Sequence, residues 1–509
     1  MLKVLDRLLD RITMYRLLLY YLIALVVAAI GLSIVGALHF TVASIIESTV
    51  IIVIACLVIN KILAAIFYNA PTNYESAYIT ALILVLIITP PNGSTPENIT
   101  FLLAASGLAM ASKYVLTFNK KHIFNPAAIA VVVTALGPMQ SASWWVGTTA
   151  MLPFVLFGGF LLVRKIHRER MVLIFFGTTL ITTILYSFMT GISPVSAVSK
   201  TLMTSAMFFL GFVMLTEPLT TPPTLRKRTW YAVLMGILFP PQFHVLSLYS
   251  TPELALVAGN IFSFLISPRV KLFPTLTQKV RISPDSVDFV FNPNRTFTYE
   301  PGQYMEWTLP HDNRDNRGNR RYFTLASSPT ERDVRIGIKF YNNGSSYKDA
   351  MLAMTRKTPI VADHISGDFT MPSDQKQKLA FIAGGIGVTP FRSMIKYLDD
   401  KHEFRDIILL YSARTRHDFA YTNVFEHARD SLGIQTIYAM TGKDEQPPNS
   451  HCRHGRISRK MIKAEVPDYM ERVFYLSGTQ AMVSTLQDTL KGLGLPNSQI
   501  KIDYFSGYA

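Results

Sequence analysis

The sequence predicts a membrane-embedded α-helical bundle followed by two soluble domains, first a β-barrel and then an α/β domain. Three observations lead to this prediction. Long apolar runs fill the chain up to about Ser267, short alternating strands follow them, and from Leu379 onward strands alternate with helices. Of the 509 residues, 50% are hydrophobic and only 16% are charged, which argues against an ordinary soluble protein.

The first half predicts about ten membrane spans. They are expected at residues 17–38, 43–60, 76–90, 98–112, 124–137, 144–162, 171–189, 201–215, 229–243 and 252–267. Several are shorter than the roughly 20 residues that a bilayer crossing needs, which is tolerated where a segment is buried in protein. Residues 1–16 form a basic amphipathic segment, interpreted as an uncleaved cytoplasmic leader. The predicted domains are therefore 1–16, 17–270, 271–376 and 377–509.

Basic residues occur in alternate loops between these spans. They are Arg7, Arg11, Arg16, Lys61, Lys113, Lys120, Lys121, Arg164, Lys165, Arg168, Arg170, Arg226, Lys227, Arg228, Arg269 and Lys271. The intervening loops carry almost none, with Lys200 as the exception. Because cytoplasmic loops are enriched in Lys and Arg, both ends are expected in the cytoplasm, with the chain in the cytoplasmic membrane. These loops also explain the net charge of +15, so no nucleic-acid partner is inferred.

Two motifs interrupt the apolar runs at the same predicted depth. They are Phe124-Asn125-Pro126-Ala127 and Thr216-Glu217-Pro218-Leu219-Thr220-Thr221-Pro222. Broken helices with polar ends at matching positions indicate two repeats that face one site, although simple helix punctuation is the plainer reading. On the predicted outer side, Gly147-Thr148-Thr149 follows a pair of Trp residues that suit an aromatic belt.

The soluble half contains a candidate flavin cradle at Arg321-Tyr322-Phe323-Thr324. The Arg321 guanidinium can bind a diphosphate bidentately. The Phe323 ring can lie against an isoalloxazine, and the Thr324 hydroxyl can donate to the flavin N5 region. Downstream, Gly344-Ser345-Ser346 precedes a predicted helix, whose N-terminus suits a pyrophosphate; an ordinary helix cap is the alternative.

A candidate dinucleotide site begins where an apolar strand ends at residue 383. The following turn contains Gly384, Gly385, Gly387, Thr389 and Pro390, and it lets a pyrophosphate approach the backbone at the start of a helix. Later predicted strands end at two further groups of small, polar or basic residues. These groups are Ser412, Arg414 and Asp418, and then Ser477, Gly478 and Met482.

Taken in this order, these motifs resemble the ferredoxin–NADP reductase superfamily. The resemblance implies a Greek-key barrel that binds FAD and a Rossmann-like domain that binds NAD(P)H. It places Thr324, Ser477 and the terminal aromatic Tyr508 near the reacting atoms, with Ser477 where a Cys is usual. The stretch from Ser412 to Asp418 is similar to NADH-using members in which the Arg and Asp brace the loop. NADH is therefore favoured, with NADPH as the alternative because Arg414, Arg416 and His417 are basic.

The membrane half resembles a family of membrane electron-transport proteins, here called NqrB/RnfD-like. Its members are the NqrB component of the sodium-pumping NADH:quinone reductase and the RnfD component of the Rnf complex. The two proline motifs and the ten-span layout carry this resemblance. It implies a second flavin, FMN or riboflavin, for which Asn125, Thr148, Thr149, Thr216 and Glu217 are the candidate ligands. The S-G-A-T stretch that carries covalent FMN in that family is missing from this sequence, which argues against covalent attachment.

Together these features predict an enzyme that passes electrons from NAD(P)H through FAD to a membrane flavin. The final acceptor would be a quinone or a molecule across the membrane, with ion coupling and partner subunits left open. Alternatives are a haem-linked transmembrane reductase, a secondary transporter with a regulatory reductase module, and a non-catalytic assembly subunit. The sparse histidines near predicted span ends argue against haem. Cys56 and Cys452 are too few for a four-Cys centre, so no metal is predicted.

Overall fold

The structure is a computed structural model that divides the chain into two compact units. The first unit comprises residues 1–269 and the second unit residues 270–509. The described residues are 2–9, 12–67, 74–93, 95–118, 121–137, 139–203, 206–268, 270–312, 315, 317–341, 344–442 and 451–504.

The first unit is built from helices around an apolar core. Its α-helices are Leu2–Leu9, Met14–Ile34, Val42–Phe67, Tyr74–Ile87, Pro96–Val115, Pro126–Leu136, Leu152–Ile166, Glu169–Thr190, Pro194–Met203, Met207–Phe209, Leu225–Leu238 and Pro252–Ile266. The short helix Met207–Phe209 continues as a π-helical segment, Leu210–Met214. Small residues let these helices approach closely, since a Cβ on Gly159 would lie 2.1 Å from the Phe212 ring.

A helix lies at each of the ten positions predicted as membrane spans, but most of these helices are short. Among the described residues, three are long and apolar enough to cross a membrane: Met14–Ile34, Val42–Phe67 and Glu169–Thr190. A fourth is obtained if Pro194–Met203 and Met207–Met214, which are bent by 57°, form one span. The structure therefore contains at least three candidate spans, and the number ten stays a prediction.

The first part of the second unit is a barrel of two antiparallel sheets. One sheet orders Val334–Lys339, Ser286–Asn292 and Thr275–Ser283; the other orders Lys271–Leu272, Val361–Ser366, Tyr304–Thr308 and Arg320–Thr324. The shortest of these seven strands is the two-residue Lys271–Leu272. Large buried side chains such as Trp307, Phe289 and Phe291 fill the barrel.

The second part of this unit is a parallel six-stranded sheet. Its spatial order is Cys452–His454, Gln435–Met440, Ile407–Ala413, Leu379–Gly384, Val473–Gly478 and Ile500–Tyr504. Starting from Leu379–Gly384, the next three strands of the chain are added one after another on one side. The chain then returns and adds Val473–Gly478 on the other side of Leu379–Gly384. The carboxyl ends of these two neighbouring strands therefore form a topological switch point, where open α/β sheets bind ligands.

Candidate functional site

The flavin motif lies on the strand Arg320–Thr324. Side chains along a strand alternate between its two faces, so only every second residue of the motif can contact the same ligand. Arg321 and Phe323 share one face and both meet the buried Tyr347. The Arg321 guanidinium carbon is 5.0 Å from the Tyr347 ring centroid, and the Phe323 and Tyr347 centroids are 6.1 Å apart. Tyr322 points to the opposite face, where its hydroxyl donates to Glu306 at 2.6 Å. The structure thus brings Arg321 and Phe323 together and turns the Tyr322 side chain away from them.

Positive charge concentrates beside Arg321. The Lys348 ammonium is largely buried there, and burial together with the nearby Arg321 and Arg317 lowers the pKa of Lys348 to about 8. Burial is the main cause of this lowering, and the neighbouring guanidinium charges add to it; a bound anion would offset the second contribution. This surrounding fits the diphosphate of a dinucleotide such as FAD. The sequence reasoning did not select Tyr347 or Lys348.

The helix Ser346–Ala353 presents its N-terminus to the same region, just after Gly344. Ser345 caps this helix, because its hydroxyl accepts from the Lys348 amide at 3.4 Å. The Ser346 amide donates to the Asp315 carboxylate at 3.0 Å. Ser345 is therefore an ordinary cap, and Asp315 accepts from an amide at the helix end, so the pyrophosphate site expected there stays a prediction.

Two buried hydroxyls mark the positions where chemistry was predicted. Thr324 is 4% exposed and Ser477 is 1% exposed. Within the described part of the chain, neither Thr324 Oγ1 nor Ser477 Oγ has a hydrogen-bond partner. A buried hydroxyl without a partner costs free energy, so both are suited to bind a ligand. Thr324 would serve FAD and Ser477 would serve the nicotinamide.

The glycine turn lies at the switch point and is shaped by close backbone contacts. A Cβ on Gly387 would lie 2.7 Å from the backbone of Gly478, and one on Gly384 would lie 2.2 Å from the Met482 sulfur. Gly385 has φ +54°, a conformation that favours glycine. Glycine is therefore required at these positions, and the backbone stays accessible to a pyrophosphate at the start of the helix Thr389–Lys401.

Two further predicted residues of the helix and the next strand lie near this turn. Pro390 occupies the first turn of the helix, and the mostly buried Thr389 begins it. Ser412 pairs with Gly384 in the parallel register. Two strand ends of the predicted dinucleotide site, at Gly384 and Ser412, therefore lie side by side at one edge of the sheet.

The loop after the second strand differs from the expectation. Asp418 accepts from both the Thr415 amide and the Thr415 hydroxyl at 2.9 Å, which closes a capping box. Among the described residues, the hydrogen bonds of its side chain go to Thr415 and not to Arg414, which the resemblance implied it would brace. The Arg414 side chain is exposed, and the structural reason for favouring NADH is thereby removed.

A carboxyl group that sequence reasoning did not select lies beside Ser477. Asp503 pairs with Ser477 in the parallel register of the last two strands. Burial raises the pKa of the Asp503 carboxyl to about 7, and among the described residues its Oδ2 has no hydrogen-bond partner. The predicted terminal aromatic, Tyr508, lies outside the described residues.

In the first unit the two proline motifs meet. Asn125 Nδ2 donates to Glu217 Oε2 at 2.8 Å, and the Asn125 amide donates to Asn260 Oδ1 at 2.7 Å. Thr220 also donates to Glu217 Oε2, at 3.2 Å. The expectation that both motifs face one place is therefore met in this geometry, with Asn260 as a member that the sequence did not reveal.

The other three predicted flavin ligands of the first unit do not take part in the hydrogen bonds between Asn125 and Glu217 described above. Thr216 donates to the Phe212 carbonyl of its own helical segment at 2.7 Å. Thr149 donates to the Met203 carbonyl at 2.9 Å. Thr148 Oγ1 is buried and has no hydrogen-bond partner within the described ranges. Among the described residues, none of these three hydroxyl groups forms a hydrogen bond with Asn125 or Glu217.

Comparisons with known proteins concern the reductase-like region. Residues 381–488 match the family described as "Oxidoreductase NAD-binding domain". The glycine betaine monooxygenase reductase subunit of Chromohalobacter salexigens is 25% identical over 212 residues, which is 41% of this chain and 56% of that protein. The reductase component of propane 2-monooxygenase from Rhodococcus jostii is 26% identical over 247 residues, 46% of this chain and 64% of that protein.

A third relative, flavohemoprotein A of Dictyostelium discoideum, is 22% identical over 250 residues, 45% of this chain and 58% of that protein. The chain thus spans somewhat more than half the length of these curated relatives. Among solved structures, the flavohem-like FAD/NAD binding domain of nitric oxide dioxygenase from Vibrio cholerae has a TM-score of 0.41 at 17% identity. It covers 46% of this chain and 98% of that chain.

The sequence similarities and the site geometry together define a class. The C-terminal part of the chain carries a ferredoxin-reductase-like module that binds FAD and NAD(P)H. Its homologues are FAD- and NAD-dependent oxidoreductases.

Proposed function

We propose that this protein is a membrane-bound flavoprotein oxidoreductase. In this proposal NAD(P)H delivers electrons to FAD in the second unit, and they continue to a flavin in the first unit. A quinone, or an acceptor on the far side of the membrane, receives them last. The chain would lie in the cytoplasmic membrane with its second unit in the cytoplasm.

The observation that carries the reductase part is the pair of buried hydroxyls, Thr324 and Ser477, in a unit that also holds the glycine turn. Arg321 and Lys348 would hold the FAD diphosphate, and Phe323 would lie against its ring. The backbone at Gly384–Gly387 would bind the nucleotide pyrophosphate. When bound, FAD supplies the chemistry that links two-electron hydride acceptance to single-electron release.

The Asn125–Glu217 contact supports a redox or ligand site in the first unit. A small cleft lies beside this contact. Its lining includes Thr220 and the fully buried Asn260, together with the Phe264 ring. The second flavin is proposed here from the sequence motifs, this cleft and the three apolar helices.

The deciding experiment uses the full chain purified in detergent. Flavins are counted per chain, before and after acid release, and NADH oxidation is measured with ferricyanide and with a short-chain quinone. Two flavins and activity with both acceptors are expected. One flavin with ferricyanide activity alone would confine redox chemistry to the second unit and overturn the membrane relay.

A second candidate function is electron delivery to haem or to an oxygenase partner. The relatives favour it, since two are named as reductase components of monooxygenases and one as a flavohemoprotein. An absorption spectrum of the purified chain tests the haem version directly. A Soret band would support it, whereas its absence together with two flavins supports the relay.

A further inference from the structure

A buried ion pair joins the barrel to the α/β domain. The Arg392 side chain is 6% exposed, and its Nη1 and Nη2 donate to the two oxygens of Glu331 at 2.6 and 2.9 Å. Arg392 lies on the helix that follows the glycine turn, two positions after Pro390. Glu331 lies in the barrel, 61 positions earlier. We call this contact the Arg392–Glu331 pair.

The pair binds the backbone that follows the flavin motif. Arg392 Nη1 also donates to the Ala326 carbonyl at 2.7 Å, and Glu331 Oε2 accepts from the Ser328 amide at 2.7 Å. The neighbouring Ser393 hydroxyl donates to the Ser327 carbonyl at 2.6 Å. The fully buried segment 326–328, which begins two residues after Thr324, is therefore fixed to the first turn of the nucleotide-binding helix.

A second contact links the same two domains close by. The Tyr421 hydroxyl donates to Asp288 Oδ1 at 2.9 Å, and Arg335 Nη1 donates to Asp288 Oδ2 at 3.0 Å. Gly337 lies against this contact, because a Cβ there would be 2.6 Å from the Tyr421 hydroxyl and 2.9 Å from Thr389. The barrel thus meets both the glycine-turn helix and the loop after the second strand.

Stability alone is a weak reason for such an arrangement. Burying two charges costs solvation energy, and apolar residues of similar volume often stabilise a fold as well or better. What a bidentate Arg–carboxylate pair adds is a fixed geometry. Hydride transfer needs such a fixed geometry, because the reacting atoms must be held about 3–3.5 Å apart and a small misplacement lowers the rate strongly.

We propose that Arg392 is a positioning residue, which acts through Glu331 and the backbone of Ala326 to hold the flavin and nicotinamide sites in one geometry. The inference rests on the proposed transfer of a hydride from NAD(P)H to FAD. In that step the nicotinamide loses one hydrogen with two electrons and the flavin gains them. Arg392 contacts Glu331 and the Ala326 carbonyl, and through them it would set the distance between the two binding segments.

The chain offers a matched control in Arg472. Its side chain is 5% exposed, forms a bidentate pair with Asp468 and donates to the Leu379 carbonyl at 3.0 Å. Leu379 begins the strand that ends at Gly384, so this network lies at the opposite edge of the sheet. Arg392→Lys and Arg472→Lys therefore each remove a bidentate guanidinium–carboxylate pair, one at either end of the same domain. Both substitutions keep the positive charge.

The first measurement is hydrogen–deuterium exchange of the full chain without added nucleotide. In Arg392→Lys the Ser328 amide should exchange about tenfold faster than in wild type, because its acceptor, Glu331, loses the bidentate partner that holds it. Glu331→Asp, a milder change, should give a smaller increase. Unchanged exchange in Arg392→Lys, or the same increase in Arg472→Lys, would overturn the proposal.

The second measurement is stopped-flow reduction of the bound flavin by NADH. Arg392→Lys should lower the limiting rate about tenfold while the nucleotide Kd stays within about twofold of wild type. Glu331→Asp, the milder change, should lower the limiting rate less. A rate equal to that of Arg472→Lys would refute the positioning role. A wild-type flavin that NADH does not reduce would instead refute the proposed function, and the exchange measurement would still decide the coupling between the two segments.

Discussion

The two units place their candidate polar residues on different kinds of structure. In the second unit these residues lie at strand ends and in a glycine turn, where backbone geometry fixes them: Thr324, Gly387 and Ser477. In the first unit Asn125 and Glu217 lie at breaks between helices and are joined by their side chains. The comparison teaches that backbone changes should affect cofactor binding in the second unit, whereas side-chain changes should affect packing in the first.

The largest expected effect is the loss of FAD from the second unit. Arg321→Ala should empty the FAD site, since a diphosphate would lose two charge-assisted hydrogen bonds worth about 3–5 kcal/mol together, roughly a hundredfold or more in Kd. Flavin absorbance per chain after purification measures the loss. Arg320→Ala is the control, because Arg320 lies on the other face of the strand near Glu306. Full flavin occupancy in Arg321→Ala would show that FAD lies elsewhere.

The next effect tests whether backbone contact governs the nucleotide site. Gly387→Ala places a Cβ 2.7 Å from the Gly478 backbone, and such overpacking costs about 1–3 kcal/mol. NADH affinity, from quenching of flavin or nucleotide fluorescence, should fall about tenfold or more. Gly177→Ala, in the first unit, has open space around its Cβ and should leave affinity unchanged. Equal affinities in the two variants would mean that the glycine turn does not contact the nucleotide.

A smaller effect, on stability, is expected in the first unit. Asn125→Ala removes the 2.8 Å donor to Glu217 and the side-chain cap of the Ala128 amide. A cost of about 2 kcal/mol is expected from the carboxylate left without this bond and from the lost cap. Thermal unfolding followed by Trp fluorescence measures it, because Trp144, Trp145 and Trp230 lie in this unit.

The control for that prediction is Asn98→Ala, whose side chain donates to the Gly93 carbonyl at an exposed site. It should leave the first-unit transition within about 0.5 kcal/mol of wild type. Reduction of bound FAD by NADH should remain intact in both variants. Loss of flavin reduction in Asn125→Ala would contradict the separation of roles between the two units.

The sequence predicted those site features that depend on local periodicity. The flavin motif selected Arg321 and Phe323, which share one face of their strand, and the strand–glycine–helix pattern selected the turn that lies at the switch point. The meeting of Asn125 with Glu217, 92 positions apart, also followed from matching proline breaks. Tyr347 and Arg392 escaped detection because their roles depend on barrel closure and domain packing, for which neither residue type nor spacing gives a signal.

The predicted number of ten membrane spans depends on apolar composition more than on local periodicity. Helices such as Tyr74–Ile87 and Pro126–Leu136 are as apolar as membrane spans but only as long as buried core helices. Apolar composition alone does not separate a short span from a helix that lies inside protein. The same ambiguity does not arise in the second unit, where strand order and register are fixed by hydrogen bonding.

The smallest expected effect concerns the choice between NADH and NADPH. NADH was favoured because Asp418 was expected to brace Arg414, but Asp418 caps Thr415 and leaves the Arg414 side chain exposed. An exposed ion pair contributes at most about 1 kcal/mol, so Arg414 can favour a 2′-phosphate by no more than roughly fivefold. The wild-type values of kcat/KM for the two nucleotides should therefore lie within about tenfold, and Arg414→Ala should lower only the NADPH value, by about two- to fivefold. His402→Ala, at a helix end remote in sequence from this loop, should change neither value. A preference for NADPH above a hundredfold, about 2.7 kcal/mol, would show that Arg414 is drawn into a buried phosphate site when the nucleotide binds.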